Sequence, residues 1–187
     1  MGDLTLLSEE LHRDASALLA ESALLELLAP YGQVLPTGSY QYRLMAVPDI
    51  DLCIVHPQIG RMQAGEIVST LIDQGFWRGV AYEDFLQFPR EDLPAGIYLG
   101  LKRSFRGRFW KVDLWCLTDA TRDLAVHEAL AHLTEEQRRT ILQIKQWRRE
   151  ANELSMPSML IYEAVLRGKA HDVSSFLRVL EAYKCDL

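Results

Sequence analysis

The chain has 187 residues, 49% of them hydrophobic, and a net charge of −6 at neutral pH. This length and apolar content fit one globular domain, or a small domain with an appended helical part. An acidic chain has no overall basic field, so we expect a small-molecule or protein partner rather than nucleic acid. We also expect a cytoplasmic protein, because there is no signal peptide and no apolar run of about 20 residues that would span a membrane.

The first half of the sequence alternates predicted helices and strands. Ser8 is the candidate cap of a first helix that runs to about Pro30. A short strand over residues 33–36 and a short helix over residues 40–45 follow. A Gly-Ser pair lies between these two elements and marks a turn.

The next elements are a strand over residues 49–55 and a helix over residues 62–73. The helix should bury Ile67, Leu71 and Ile72, and Gly75 should cap its C-terminus. Three further strands are predicted, and they lie at 77–82 or 85–88, at 97–105 and at 109–117. A hairpin turn with glycine at its tip joins the last two. This order predicts an α+β fold with a mixed β-sheet and flanking helices.

After Leu117 the pattern is helical only. The helices are expected over residues 120–132, from a Thr134–Gln137 capping box to about 152, from Pro157 to Gly168, and after a cap at Asp172. We therefore divide the chain into a domain at 1–118 and a helical C-terminal region at 119–187. That region is either a small second domain or a cover on the sheet.

Two aspartates, Asp49 and Asp51, open the predicted strand at 49–55. Side chains two apart on a strand share a face, about 7 Å apart, so Ile50 would face the other side. Two adjacent carboxylates repel each other unless a cation lies between them, and Mg²⁺ prefers carboxylate oxygens and shares them with substrate phosphates. The alternative is a turn residue followed by a solvent-facing strand residue.

Nine residues separate the Gly-Ser pair, Gly38 and Ser39, from Asp49. Glycine lets the backbone approach a ligand closely, and a turn of this kind can offer N–H groups and a hydroxyl to a phosphate. The alternative for Ser39 is a helix N-cap, which is compatible with phosphate binding. Arg43, a few residues on, is a further candidate for neutralising phosphate charge.

The pattern Gly38-Ser39, nine residues, Asp49-Ile50-Asp51-Leu52 resembles the signature of the nucleotidyltransferase superfamily, which includes DNA polymerase β and the small antibiotic nucleotidyltransferases. The resemblance implies a third acidic residue on a later strand, where this chain has Asp113. It covers residues 35–117. Many small members carry a second glycine and an arginine soon after the Gly-Ser pair, whereas this chain has Tyr-Gln-Tyr-Arg-Leu-Met at 40–45.

The resemblance implies a nucleotidyltransferase fold and an enzyme that transfers a nucleoside monophosphate from a nucleoside triphosphate, ATP among them, to a hydroxyl of a small-molecule or protein acceptor. Asp49, Asp51 and Asp113 would hold Mg²⁺ in a two-ion site, and Asp113 is also a candidate general base. The alternative is a catalytically weak or inactive member of the fold that serves as a protein-binding, antitoxin-like module.

Charged residues outside the motif have two interpretations. Asp113 lies among apolar neighbours and needs a metal or a partner, for which Arg103 and Lys111 are candidates. The basic stretch predicts a solvated face, or contacts to the triphosphate; it comprises Lys102, Arg103, Arg106, Arg108 and Lys111. The cluster Lys145, Arg148 and Arg149 is predicted to be a plain surface face of a helix.

Overall fold

A computed structural model describes residues 3–91, 93–119, 128–153 and 156–185. The helices are α1 (Asp3–Glu21), α2 (Leu24–Leu28), α3 (Gly38–Gln41), α4 (Arg61–Gln74), α5 (Glu135–Glu150), α6 (Ser158–Leu166) and α7 (Val173–Cys185). The strands are β1 (Gln33–Thr37), β2 (Asp49–Val55), β3 (Gly79–Asp84), β4 (Ile97–Phe105) and β5 (Arg108–Leu117). Of the helix predicted over 120–132, residues 128–131 are helical, and residues 120–127 lie outside the described part of the chain.

The five strands form one mixed sheet in the order β1-β2-β5-β4-β3. Strands β2 and β5 are parallel, and the other neighbours are antiparallel. The β4–β5 hairpin closes through Arg106 and Gly107, whose φ angles of 48° and 75° fit a two-residue turn with both central residues left-handed. The predicted α+β class and mixed sheet are confirmed.

The N-terminal helix differs from its prediction. Ala23 has a φ of 47° and separates α1 from α2, so one helix to Pro30 is wrong. The Ser22 hydroxyl donates to the carbonyl of Leu19 at 3.1 Å, a local bond that competes with helix continuation. Ser8 is not a cap, because it lies buried within α1, where its hydroxyl donates to the carbonyl of Arg43 at 2.9 Å.

Two other predictions are corrected in the same half of the chain. The short helix begins at Gly38 and ends at Gln41, earlier than predicted. In α4, Ile67 and Leu71 are buried as predicted, but Ile72 is 61% exposed because it lies beyond their apolar stripe. Gly75, with a φ of 65°, ends this helix as predicted.

The predicted caps of the C-terminal helices are confirmed. The Thr134 hydroxyl accepts from the N–H of Gln137 at 3.1 Å, and the Gln137 side chain accepts from the N–H of Thr134 at 3.0 Å. Before α7, the carboxylate of Asp172 accepts from the N–H of Ser175 at 2.7 Å. Both caps fix where a helix begins, so they also fix which faces point inward.

Most of the described buried side chains lie in two clusters, and a small third one contains Cys53 and Leu117. The larger lies between the sheet and the helices α1, α2 and α4, and includes Leu18, Ile50 and Trp110. The second joins α5, α6 and α7, and it also contains Leu44 from the segment that follows α3. Among the described residues, no helix combines the length and the apolar character needed to cross a bilayer.

Candidate functional site

The parallel pairing of β2 and β5 brings the three predicted aspartates together. Asp51 lies opposite Asp113, and Asp49 lies opposite Lys111. The alternate residues of β2, such as Ile50 and Leu52, are fully buried in the core on the other face of the sheet. Because one face of the sheet is buried in the core, all three carboxylates, two on β2 and one on β5, lie on the other face.

The carboxylates are close enough to share a cation. One oxygen from each of Asp49, Asp51 and Asp113 lies within 4.8 Å of the other two. Burial, followed by the charges of Asp51 and Asp113, raises the pKa of Asp49 to about 7. Burial and the charge of Asp113 likewise raise the pKa of Asp51 to about 6. The nearby positive charges are therefore too weak to offset the burial and mutual repulsion of these two carboxylates.

A divalent cation fits this donor set. Asp49 Oδ1 is buried and has no hydrogen-bond partner, which is costly for a carboxylate oxygen unless an ion satisfies it. Carboxylate oxygens are the ligands that Mg²⁺ prefers, and Mg²⁺ is commonly bound by one or two carboxylates together with substrate phosphates. The side chains of Asp49 and Asp51 are therefore the candidate metal ligands with the clearest need for one.

The Gly-Ser pair lies directly against Asp51. Gly38 has a φ of 59°, and a Cβ at this position would lie 2.1 Å from Asp51 Oδ2. The backbone N–H of Ser39 donates to the Asp51 carboxylate and so opposes the rise in its pKa. The contact that the structure shows for this pair is therefore with the carboxylate of Asp51, a candidate metal ligand, and its contact with a phosphate stays a prediction.

Asp113 has partners on both of its oxygens. Tyr98 on β4 donates its hydroxyl to Oδ1. The ammonium of Lys111 donates to Oδ2 at 2.6 Å, so Lys111, and not Arg103, is the basic partner of Asp113. Gly100, which lies opposite Asp113 in the sheet, leaves room for this contact, because a Cβ there would lie 2.7 Å from the Tyr98 hydroxyl. Sequence reasoning missed Tyr98.

A cleft of about 300 Å³ lies over Asp49 and Asp51, between the sheet and the C-terminal helices. Its sheet side includes Thr37, Gly38, Ser39, Asp49, Asp51, Cys53, Trp115 and Leu117. Its helical side includes Leu130, Lys145, Arg148, Ser158, Met159 and Tyr162. The helical region thus supplies one wall of the site.

Lys145 is not on a plain surface face, so that prediction is wrong. It is only 4% exposed, and its ammonium donates to the carbonyl of Leu44 at 2.9 Å and to the hydroxyl of Tyr162 at 3.1 Å. Its charge acts on both Asp49 and Asp51 and partly offsets the rise in their pKa values. The missed signal is its spacing, since a lysine four residues after the buried Ile141 lies on the apolar face of α5.

Arg148, one turn further along α5, also lines the cleft. Its guanidinium donates to the carbonyl of Met156 at 2.9 Å and to the hydroxyl of Ser158 at 3.0 Å. Burial lowers its pKa, and the charge of Asp49 acts in the opposite sense. Lys145 and Arg148 therefore form a positive wall opposite the aspartates.

The structure does not bring the other predicted basic residues to the cleft. Arg43 is exposed and does not line it. Arg106 and Arg108 bind Asp14 of α1, at 3.1 and 2.8 Å. Arg103 lies 3.7 Å over the ring of Phe76. Of the basic stretch, Lys111 is the residue that reaches the aspartates.

Comparison with known proteins gives a likeness in structure only. No family model matches the chain, and no curated protein matches it. A GLD-2/RNP-8 complex is similar with a TM-score of 0.54 and 15% identity, over 86% of this chain and 64% of that one. The non-canonical poly(A) polymerase complex GLD-2–GLD-3 is similar with a TM-score of 0.54 and 17% identity, over 87% of this chain and 57% of that one.

The chain shares its fold with these two structures, which belong to the nucleotidyltransferase superfamily. The resemblance seen in the sequence is thereby confirmed at the level of the fold. The chain spans less than two thirds of the length of either neighbour. The expectation that nucleic acid is not a partner gains no support, since one neighbour is a poly(A) polymerase complex.

Proposed function

We propose that the protein is a metal-dependent nucleotidyltransferase, which transfers a nucleoside monophosphate from a nucleoside triphosphate to a hydroxyl of its acceptor. The observation that carries the proposal is the group of three aspartates, with oxygens within 4.8 Å of one another and one buried oxygen unpaired, of which Asp49 and Asp51 line the cleft. The fold supports the same class of reaction.

Asp49 and Asp51 would hold Mg²⁺ against the triphosphate. When bound, the ion supplies charge neutralisation for the transferred phosphoryl group and the leaving pyrophosphate. The N–H of Ser39 donates to the Asp51 carboxylate and orients it. Gly38 and Ser39 remain the proposed contact for a phosphate, together with Arg43 if that side chain moves from its exposed position.

The positive wall formed by Lys145 and Arg148 would bind the triphosphate. Lys145 is held by two hydrogen bonds and Arg148 by two more, so neither side chain loses much conformational freedom when an anion binds. Both act electrostatically on Asp49. A triphosphate placed between the aspartates and this wall would meet a metal on one side and fixed positive charges on the other.

Asp113 would serve the acceptor. Its carboxylate is oriented by Tyr98 and Lys111, and it lies opposite Asp51 across the strand pair. In this position it can accept the proton of an attacking hydroxyl, which is general-base catalysis. The acceptor remains a hydroxylated small molecule, a protein side chain or the 3′ end of an RNA.

A nucleotide-binding experiment tests the proposal. The melting temperature of the full chain would be measured with ATP, GTP, CTP and UTP, with and without Mg²⁺, for the wild type and Asp51→Asn. A ligand that binds only the folded state raises the melting temperature, by a shift equivalent to about 2.7 kcal/mol at 100 times its Kd. We expect a Mg²⁺-dependent shift with at least one nucleotide, and no such shift in the variant.

The matched control is Asp73→Asn, which removes an equal charge from the exposed side of α4 and should bind nucleotide like the wild type. Pyrophosphate release would then be measured with candidate acceptors, including an aminoglycoside and an oligo(A) RNA. No Mg²⁺-dependent shift with any nucleotide would overturn the proposal. Binding without turnover on any acceptor would favour the protein-binding alternative.

A further inference from the structure

The Asp113 end of the site already contains a positive charge. Lys111 and Asp113 are two residues apart on β5, so both side chains project from the same face of the sheet. Lys111 also lies directly opposite Asp49 across the parallel pair. The ammonium therefore belongs to the same group of side chains as the three carboxylates.

Both oxygens of Asp113 are engaged within the protein. The Tyr98 hydroxyl takes Oδ1, and the Lys111 ammonium takes Oδ2 at 2.6 Å. Asp49 differs, because its Oδ1 is buried and has no partner. A first cation therefore satisfies an unmet oxygen at Asp49, whereas a second cation at Asp113 would have to compete with an ammonium.

The charge balance leads to the same result. Three carboxylates and the ammoniums of Lys111 and Lys145, which both act on Asp49 and Asp51, leave one negative charge, so a single divalent cation is enough to neutralise the cluster. A second divalent cation would leave an excess of positive charge in a half-buried site before any nucleotide arrived, and that is unfavourable where charges are poorly screened.

We propose that Lys111 is a tethered cation that holds Asp113 in place of a second metal ion, so that the cluster binds one divalent cation rather than two. This inference rests on the proposed function, and it replaces the two-ion site that the family resemblance implies. Lys111 would then be a positioning residue for Asp113, and it would put a fixed positive charge beside the attacking hydroxyl.

Counting bound Mn²⁺ tests the inference without using activity. The full chain would be titrated with Mn²⁺ alone, and free Mn²⁺ would be followed by electron paramagnetic resonance. We expect one ion per chain for the wild type and two for Lys111→Met, because the substitution frees Asp113 Oδ2. Lys111→Arg keeps the charge and should return the count to one.

The matched control is Lys102→Met. Lys102 is exposed on β4 and pairs with Lys111 in register, so this substitution removes the same charge from the neighbouring strand. It should leave the count at one. Two ions in the wild type, or one ion in a folded Lys111→Met, would overturn the inference and leave the proposed function standing. No bound ion in the wild type would overturn both.

Discussion

Gly38 contacts Asp51 so closely that a single added carbon would collide with the carboxylate, since a Cβ at position 38 would lie 2.1 Å from Asp51 Oδ2. The glycine of the motif therefore leaves the space that the carboxylate of Asp51 occupies, although the two residues lie about a dozen positions apart in the sequence. The contact explains why a turn and a strand must keep a fixed separation, because either one out of register would separate the two groups.

Gly38→Ala should damage both the site and the fold. The substitution imposes a left-handed φ of 59° on an alanine, which costs about 1–2 kcal/mol, in addition to the collision with Asp51. We expect the melting temperature to fall by roughly 3–8 °C, and Mn²⁺ affinity to fall by about 10-fold or more. Calorimetry and Mn²⁺ titration would measure the two effects.

Gly65→Ala is the control for that substitution. Gly65 lies within α4, and an added Cβ there would meet nothing within 4 Å. Alanine should stabilise the helix by about 0.5–1 kcal/mol and leave metal binding unchanged. Equal Mn²⁺ affinity in Gly38→Ala and the wild type would show that the close contact is not needed for the site.

The raised pKa values predict how stability depends on pH. With pKa values of about 7 and 6 for Asp49 and Asp51, the folded chain keeps protons that the unfolded chain loses near pH 4. The folded state therefore binds more protons between pH 4 and 7, and stability in the absence of metal should fall as the pH rises through that range. Metal should stabilise the protein most at the upper end.

Asp49→Asn should therefore be more stable than the wild type at pH 8 in EDTA, by on the order of 1–3 kcal/mol, with the difference shrinking towards pH 4. Asp84→Asn is the control with the opposite sign, because hydrogen bonds from backbone N–H groups lower the pKa of Asp84. Urea unfolding at several pH values measures both. A wild type that is as stable as Asp49→Asn at pH 8 would contradict the electrostatic account of the site.

Much of the sheet side of the site could be predicted because its signals are local. Strand β2 follows from its apolar residues, whereas Asp113 is implied by the family resemblance. The short turn at Gly107 fixes how β4 pairs with β5. The same register places Gly100 opposite Asp113 and would have led to Tyr98, whose hydroxyl reaches across the space left by the glycine.

The helical wall could not be predicted in the same way. The partners of Lys145 are the carbonyl of Leu44 and the hydroxyl of Tyr162, which lie far from it in the sequence. The spacing from Ile141 places Lys145 on the apolar face of α5, but no local pattern identifies its partners, because they depend on how α5 packs against the segment after α3. The prediction that Ser8 caps a helix is wrong for a similar reason, since the partner of its hydroxyl is the distant carbonyl of Arg43.

Tyr98→Phe tests the orientation of Asp113. The substitution removes one hydrogen bond to a carboxylate and keeps the ring that lies against Trp115, so we expect a stability loss of about 1–2 kcal/mol. Turnover should fall by about 10-fold while nucleotide affinity stays unchanged, because Asp113 is proposed to serve the acceptor. Tyr82→Phe, at an exposed tyrosine of β3, should change neither stability nor turnover. A variant with wild-type turnover would remove Tyr98 from the site.

Lys145→Met tests whether the positive wall of the cleft contributes to nucleotide binding independently of the metal site. The substitution removes a buried charge that acts on Asp49 and Asp51, and it leaves the carbonyl of Leu44 without its donor. We expect nucleotide affinity to fall by about 10- to 100-fold, the range for losing a hydrogen bond to a charged group, while one Mn²⁺ still binds.

Two variants make that result specific to the charge in the cleft. Tyr162→Phe removes one of the two acceptors of Lys145 but keeps its ammonium, so its loss of nucleotide affinity should be much smaller. Lys169→Met removes an exposed lysine outside the cleft and should bind nucleotide like the wild type. Titration of each variant with the nucleotide that gives the largest thermal shift measures these affinities. If Lys145→Met is folded and binds nucleotide as Lys169→Met does, the triphosphate does not lie against α5, and the positive wall has a structural role instead.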